Sequence, residues 1–134
     1  MRSWKVTVSV SDELGHIDRS ILVVDDEPII RLNLAVFFED EGFTVFEAGD
    51  ADEAIAILEE NPTIQVVLTD IQMPGSMDGV KLAHYVRDRF PPTLLVVASG
   101  ALNPKPSELP THTMFVAKPF DPRFVLGELD RLSA

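Results

Sequence analysis

Short runs of apolar residues alternate along the chain with longer segments in which apolar residues recur every three or four positions. The runs predict buried parallel strands at residues 21–24, 43–48, 64–68, 94–98 and 114–117. The helical spacing predicts helices over residues 28–41, 51–61 and 78–89, and a final helix that begins at Pro122. Strands and helices that alternate in this way indicate an α/β fold, a doubly wound parallel sheet with helices on both faces.

Several residues indicate where the helices end and which of their faces are buried. Pro28 suits the first turn of the first helix, Gly42 its end, and Asp50 the cap of the second helix. Apolar spacing then predicts the core positions of the first and last helices, which are Ile30, Leu34, Phe37, Phe38, Phe124, Val125 and Leu129.

Two segments depart from this alternation. Prolines at positions 104, 106 and 110 argue against a regular fourth helix over residues 101–113, so we expect a short or irregular one. Residues 1–19 are expected to be an N-terminal extension that precedes a domain over residues 20–134. Within the extension Trp4, Val6, Val8 and Val10 alternate with polar residues, which indicates either a piece of strand for a sheet edge or partner, or a mis-assigned start.

Composition excludes several classes of function. The chain of 134 residues has 22 acidic and 11 basic residues, and its net charge of −11 argues against a nucleic-acid partner. Because it has no cysteine, disulfides, thiol chemistry and cysteine-based zinc sites are excluded, and the three histidines lack ligand spacing. With no apolar run long enough for a membrane and no signal sequence, we expect a cytoplasmic protein without a membrane partner.

Charged and polar residues follow the predicted strands. Asp25, Asp26 and Glu27 follow the first strand, Asp70 the third, Ser99 the fourth and Lys118 the fifth. The carboxyl ends of parallel strands meet at one edge, where ligands bind. Carboxylates about 4 Å apart repel each other by roughly 1–4 kcal/mol, and Mg²⁺ is the cation best suited to relieve this repulsion with oxygen ligands.

The same set of residues suits phosphate chemistry. An aspartate can act as the nucleophile that accepts a phosphoryl group, while Lys118 and Ser99 can bind its oxygens. Each residue alone also has an ordinary explanation as a helix-terminal charge, a turn residue or a solvated lysine. Their coincidence at successive strand ends favours a common site.

Four motifs resemble the receiver domain of bacterial two-component response regulators. They are residues 21–28, residues 68–75 with the following Met77-Asp78-Gly79, residues 97–100 and residues 117–120. The similarity extends over residues 20–132, and the order of the motifs is specific. It implies a flavodoxin-like sheet of five strands in the order 2-1-3-4-5.

The resemblance also implies roles around the acidic residues. Asp70 would accept a phosphoryl group from a histidine kinase or histidine phosphotransferase. Asp26, Asp70 and the backbone carbonyl of Gln72 would bind Mg²⁺ directly, and Asp25 largely through water. The Gln72 side chain, at a position that tunes phosphate lifetime in this family, would orient water and give modest self-dephosphorylation.

Further roles concern the response to phosphate. Lys118 would pair with the phosphate, and the Lys118–Pro119 bond is expected to be cis. Ser99 would move towards the phosphate, and Phe115 occupies the position of the switch aromatic residue.

We therefore expect a phosphorylated signalling switch rather than a turnover enzyme. Because the chain stops just after the final helix, a single-domain regulator that binds partners or shuttles phosphate is favoured, although a receiver fragment of a hybrid kinase stays open. The irregular segment 101–113 favours a monomer or weak dimer. A pseudo-receiver that works without phosphorylation is disfavoured by the intact site, and an aspartate-nucleophile phosphatase by Gln72, where such enzymes place an acid.

Overall fold

Each predicted apolar run forms one strand of a single parallel sheet. The structure, a computed structural model, describes residues 19–72, 78–100 and 105–133. In these residues the strands are β1 (Ser20–Val24), β2 (Thr44–Ala48), β3 (Val66–Asp70), β4 (Leu94–Ser99) and β5 (Thr113–Ala117). Their order is β2-β1-β3-β4-β5, which confirms the predicted topology.

Four α-helices cover the two faces of the sheet within the described residues. They are α1 (Pro28–Asp40), α2 (Ala51–Glu60), α3 (Gly79–Arg89) and α4 (Pro122–Ser133). Phe38 of α1 and Val125 of α4 share one buried cluster with the strands, while Leu58 of α2 and Leu82 of α3 belong to the other. Since burial of such a side chain contributes about 1.5–3 kcal/mol, both layers stabilise the strands that position the site.

The helix boundaries follow the predicted signals. Pro28 is the first residue of α1, and Gly42 just beyond its end has a φ of 95°, a conformation that favours glycine. The Asp50 side chain accepts a 2.8 Å hydrogen bond from the backbone N–H of Glu53 and caps α2. The Asp50 cap satisfies a backbone N–H that α2 leaves unpaired at its start.

The predicted core faces need one correction. Val125 and Leu129 are buried as expected, but Phe124 is 57% exposed, so its assignment to the core was wrong. A neighbouring residue on an α-helix is rotated by about 100°, which turns Phe124 away from the sheet when Val125 faces it. On α1, Phe38 is buried and Leu34 and Phe37 lie half-buried against the same cluster.

Two strands begin later than the sequence pattern predicts, β2 by one residue and β3 by two. Ile64 is buried but precedes β3, because its N–H bonds to the carbonyl of Asn61 at 3.2 Å in a turn. Because Ile64 is apolar, the sequence pattern placed the start of β3 two residues too early. At its other end, β3 runs on to Asp70.

The segment before β5 is irregular, as predicted. Its described part, from residue 105 to residue 112, contains a short 3₁₀ helix, Pro106–Glu108, and no α-helix. Two side chains of α3 hold it: His84 Nε2 lies 2.7 Å from the carbonyl of Glu108, and Arg87 Nε donates to that of Thr111 at 3.1 Å.

Some predictions lie outside the described residues. They concern the alternating piece of the N-terminal extension, the loop at residues 73–77, residues 101–104 and Ala134. No helix in the part of the chain that the structure describes is long and apolar enough to cross a membrane.

Candidate functional site

The strand register brings the predicted site residues to one edge of the sheet. Asp25 directly follows Val24 of β1, which pairs with Thr69 of β3. Asp70 ends β3, and Ser99 at the end of β4 pairs with Ala117 of β5, just before Lys118. Neighbouring strands are about 4.8 Å apart, so long side chains can meet across these ends.

Three carboxylates form a cluster at this edge. Asp25, Asp26 and Asp70 each offer an oxygen within 4.8 Å of those of the other two. Asp25 is 2% exposed, the Asp70 side chain is largely buried and Asp26 is exposed to solvent. Carboxylate oxygens are the type of donor that suits Mg²⁺, since Mg²⁺ takes a few carboxylates and completes its shell with water or phosphate.

Lys118 is the cation that faces this cluster. Its Nζ lies 3.1 Å from Oδ2 of Asp25 and 3.4 Å from Oδ2 of Asp70. The side chain of Lys118 is 19% exposed, that of Asp70 11% and that of Asp25 3%, so both ion pairs are largely screened from water. The Lys118–Pro119 peptide bond is cis, as predicted.

Burial and neighbouring charges shift the pKa values of Asp70 and Lys118. Burial raises the pKa of the Asp70 carboxyl and the charge of Asp25 adds to this, while Lys118 and the backbone N–H of Gln72 lower it in part. Burial works to lower the pKa of Lys118, but its hydrogen bond to Asp25 and the negative charges of Asp25 and Asp70 outweigh that effect and raise it. Lys118 therefore stays an ammonium beside the carboxylates.

The two residues predicted to respond to phosphate lie on neighbouring strands. Ser99 is buried, and its carbonyl accepts a 2.8 Å hydrogen bond from the N–H of Lys118. Phe115 is 37% exposed and pairs in register with Val97. Ser99 thus adjoins the site, and Phe115 lies further back along β5.

Comparison with known proteins places this chain in a family. Residues 21–129 match the response regulator receiver domain. The chain belongs to this family. The transcriptional regulatory protein ResD of Bacillus subtilis (strain 168) is 36% identical over 112 residues, which are 81% of this chain and 45% of ResD. The receiver domain therefore spans less than half the length of this curated relative.

Solved structures agree with the receiver fold. The crystal structure of a response regulator receiver protein from Sinorhizobium medicae WSM419 superimposes with a TM-score of 0.79 at 28% identity, covering 86% of this chain and 94% of that chain. A CheX-CheY-BeF3-Mg²⁺ complex from Borrelia burgdorferi has a TM-score of 0.76 at 27% identity, covering 88% of this chain and 91% of that chain. That neighbour is a complex with Mg²⁺ and a fluoride of beryllium.

Two residues that matter for the geometry were not assigned these contacts from sequence. Nη1 of Arg31 donates a 2.8 Å hydrogen bond to the carbonyl of Asp25. The N–H of Gly79 donates to the carbonyl of Ile71 at 2.8 Å, and a Cβ at position 79 would lie 1.9 Å from the carbonyl oxygen of Asp70. Gly79 stood in a receiver motif, whereas a contact to a backbone carbonyl leaves no sequence pattern.

The raised pKa of Asp70 predicts that Asp70→Asn increases stability. A carboxyl whose pKa is higher in the folded than in the unfolded protein stabilises the fold at low pH, and this contribution is lost as pH rises through the folded pKa. Asp70 is therefore destabilising at pH 7, and in Mg²⁺-free buffer we expect the variant to melt a few degrees higher, with about 1 kcal/mol corresponding to roughly 4 °C.

The measurement is thermal unfolding followed by circular dichroism between pH 7 and pH 4. The difference between the variant and the wild type should shrink as the pH falls. Asp88→Asn, at an exposed position on α3, is the matched control and should leave the melting temperature unchanged. A lower melting temperature for Asp70→Asn at pH 7 would contradict the prediction.

Proposed function

We propose that this receiver domain is a signalling switch that accepts a phosphoryl group on Asp70 in a Mg²⁺-dependent reaction. The observation that carries the proposal is the position of the largely buried Asp70 carboxylate, beside the Lys118 ammonium and in one cluster with the carboxylates of Asp25 and Asp26. A histidine kinase or histidine phosphotransferase would supply the phosphoryl group. In the ResD relative the name states a transcriptional role, which belongs to that protein.

The residues present suit such a transfer. One oxygen of the Asp70 carboxylate forms a bond to phosphorus while the phosphorus–nitrogen bond of a phosphohistidine breaks, and the imidazole keeps the electron pair and takes up a proton. Asp25, Asp26, Asp70 and the Gln72 carbonyl would hold Mg²⁺, which supplies positive charge against the phosphoryl oxygens when bound.

The remaining site residues would stabilise and report the phosphorylated state. Lys118, already 3.4 Å from Asp70, would bind a phosphoryl oxygen. The Ser99 hydroxyl would turn to the phosphate, and Phe115 would respond on β5 and change the surface that a downstream protein binds. On this proposal the domain catalyses only its own phosphorylation and dephosphorylation, and acts by protein–protein contact or by passing phosphate on. The predictions of a single-domain regulator and of a monomer or weak dimer remain predictions.

The test of the proposed function is uptake of a single phosphoryl group. Incubated with Mg²⁺ and a small acyl phosphate or a phosphohistidine protein, the wild type should gain the mass of one phosphoryl group, and a chelator should prevent this. Asp70→Asn should show no gain, whereas Asp88→Asn should react as the wild type does. Failure of the wild type with every donor, together with partner binding that survives Asp70→Ala, would instead indicate a pseudo-receiver.

The side chain of Gln72 is expected to affect how fast the phosphoryl group is lost from Asp70. Gln72 is exposed at the rim of the site and its amide can orient water for attack on phosphorus. We expect Gln72→Ala to slow self-dephosphorylation about tenfold, which is less than the roughly 10²–10⁴-fold effect of a general base, because an amide orients the water without taking up its proton. Phosphate release from the isolated phosphorylated protein measures this rate, and an equal rate in both proteins would rule out the role of the amide.

A further inference from the structure

Arg31 links the start of α1 to the ends of β1 and β2. Nη1 donates to the carbonyl of Asp25 at 2.8 Å, and Nε lies 3.3 Å from Oε1 of Glu47. The Arg31 side chain is only partly exposed, and Glu47 follows Phe46 on β2 one residue before that strand ends. The guanidinium is therefore held by a partner on β2 while it contacts the backbone of the residue that begins the acidic cluster.

The contact with Arg31 completes the set of bonds around Asp25. The N–H of Asp25 donates to the carbonyl of Ala48 at 3.1 Å. Oδ1 accepts from the N–H of Glu27 at 2.9 Å, and Oδ2 accepts from Nζ of Lys118 at 3.1 Å. Every polar atom of Asp25 thus has a partner, and Arg31 supplies the one for the carbonyl.

The orientation of the Asp25 carboxylate depends on this arrangement. Only two rotatable bonds separate an aspartate carboxylate from the backbone. A shift of the peptide that contains the Asp25 carbonyl therefore also moves Oδ1 and Oδ2. Groups that hold a metal ligand in place commonly change metal affinity by 10–100-fold when removed. The contact with the Asp25 carbonyl also brings the positive charge of Arg31 near the carboxylates, and its attraction offsets part of their mutual repulsion.

We infer that Arg31 is a positioning residue for the Mg²⁺ site of this receiver domain, acting through the carbonyl of Asp25. The inference rests on the proposed function, because it assumes that the acidic cluster binds Mg²⁺. Arg31 does not touch the phosphoryl group in this role. It sets where the Asp25 carboxylate lies and adds a positive charge close to the cluster.

The test is the Mg²⁺ dissociation constant, measured by calorimetry on the full chain at a temperature where every variant is folded. Arg31→Gln should weaken Mg²⁺ binding about tenfold. Glutamine and arginine have similar helix propensity, so α1 itself should not be affected. Arg31→Lys, whose ammonium can donate to the same carbonyl, should bind within about threefold of the wild type.

Arg131→Gln is the matched control, since it removes the same charge from an exposed residue at the far end of α4. It should leave the dissociation constant unchanged. Amide hydrogen exchange gives a second readout: in Arg31→Gln the N–H groups of Asp25 and Glu27 should exchange faster, while that of Val67 in β3 should not.

Each result separates the inference from the proposed function. A wild type that binds Mg²⁺, together with Arg31→Gln of equal affinity, overturns the role of Arg31 and leaves the proposed function intact. A lowered melting temperature with an unchanged dissociation constant also overturns it, because that is the effect of a purely structural residue. A wild type that binds no Mg²⁺ overturns both.

Discussion

Gly79→Ala is expected to destabilise the domain by about 3 kcal/mol and to lower its melting temperature by roughly 12 °C. A Cβ at this position would lie 1.9 Å from the carbonyl oxygen of Asp70, 2.8 Å from its carbonyl carbon and 2.8 Å from the Cα of Ile71. All three atoms belong to the backbone, so no side-chain rotation can relieve the overlap. The start of α3 or the end of β3 must move, and either shift displaces the phosphate-accepting residue of the proposed site.

The chain offers a matched control for this substitution. Gly127 lies inside α4, and a Cβ there would have nothing within 4 Å. Gly127→Ala should therefore raise the stability by up to about 1 kcal/mol, because alanine is the better helix former. Denaturant titration of both variants measures the two free energies, and destabilisation of the same size at both positions would show that the close approach at Gly79 is unimportant.

The Gly79→Ala substitution should also affect the proposed phosphorylation site. If the carbonyl of Asp70 is displaced, its carboxylate should leave the position beside Lys118, and the uptake of phosphate should fall together with the stability. A Gly79→Ala protein that is still folded at low temperature and reacts at the wild-type rate would show that the end of β3 tolerates the movement.

The positions of the charged site residues could be predicted from sequence because they depend on two simple rules. Apolar runs mark parallel strands, and residues that follow parallel strands gather at one edge. These rules are sufficient to bring Asp25, Asp70 and Lys118 together, although 93 residues separate Asp25 from Lys118. The chemistry then follows from charge, since three close carboxylates need a cation.

Other features depend on backbone contacts and on rotations of a single residue, which sequence patterns do not record. The bond from Arg31 to the carbonyl of Asp25 has an acceptor that every residue possesses. In α4 the apolar residues Phe124 and Val125 are adjacent, and the pattern alone does not show which one faces the sheet. In the structure Val125 faces the sheet, on the same side of α4 as Leu129 one turn later.

The irregular segment before β5 is a second case in which backbone contacts determine a structure that the sequence pattern does not predict. Its prolines excluded a regular helix from sequence alone. Its path is set instead by His84 and Arg87 of α3, which bind the carbonyls of Glu108 and Thr111. In this receiver domain the described part of the segment before β5 is therefore held by contacts from α3 to backbone carbonyls rather than by a regular helix.

Lys118→Met is expected to destabilise the domain by about 3 kcal/mol in Mg²⁺-free buffer at pH 7. Methionine keeps much of the length and apolar volume of lysine but removes the charge. The carboxylate of Asp25, which is 3% exposed and 3.1 Å from Nζ, then loses its counter-ion, and so does Asp70 at 3.4 Å. Removing one partner of a buried ion pair leaves an uncompensated charge, which is why the loss should be large.

The loss of stability in Lys118→Met should depend on pH. Without the ammonium, the pKa of the Asp70 carboxyl should rise further, because Lys118 is the main group that lowers it. A raised pKa in the folded state means stability that is present at low pH and lost as pH rises through that pKa. The difference between Lys118→Met and the wild type should therefore be largest near pH 7 and shrink towards pH 4, as the Asp70 carboxylate becomes protonated.

Added Mg²⁺ should restore part of the lost stability, since a cation bound by the folded protein stabilises it by mass action and here replaces the missing charge. A beryllofluoride mimic of the phosphoryl group should nevertheless bind at least about tenfold more weakly, the cost of one lost charge-assisted hydrogen bond. Lys81→Met, at an exposed position on α3, changes the net charge equally and should alter neither property. If Lys81→Met and Lys118→Met lose stability equally, the ion pairs at the site do not stabilise the fold, and their importance must lie in binding alone.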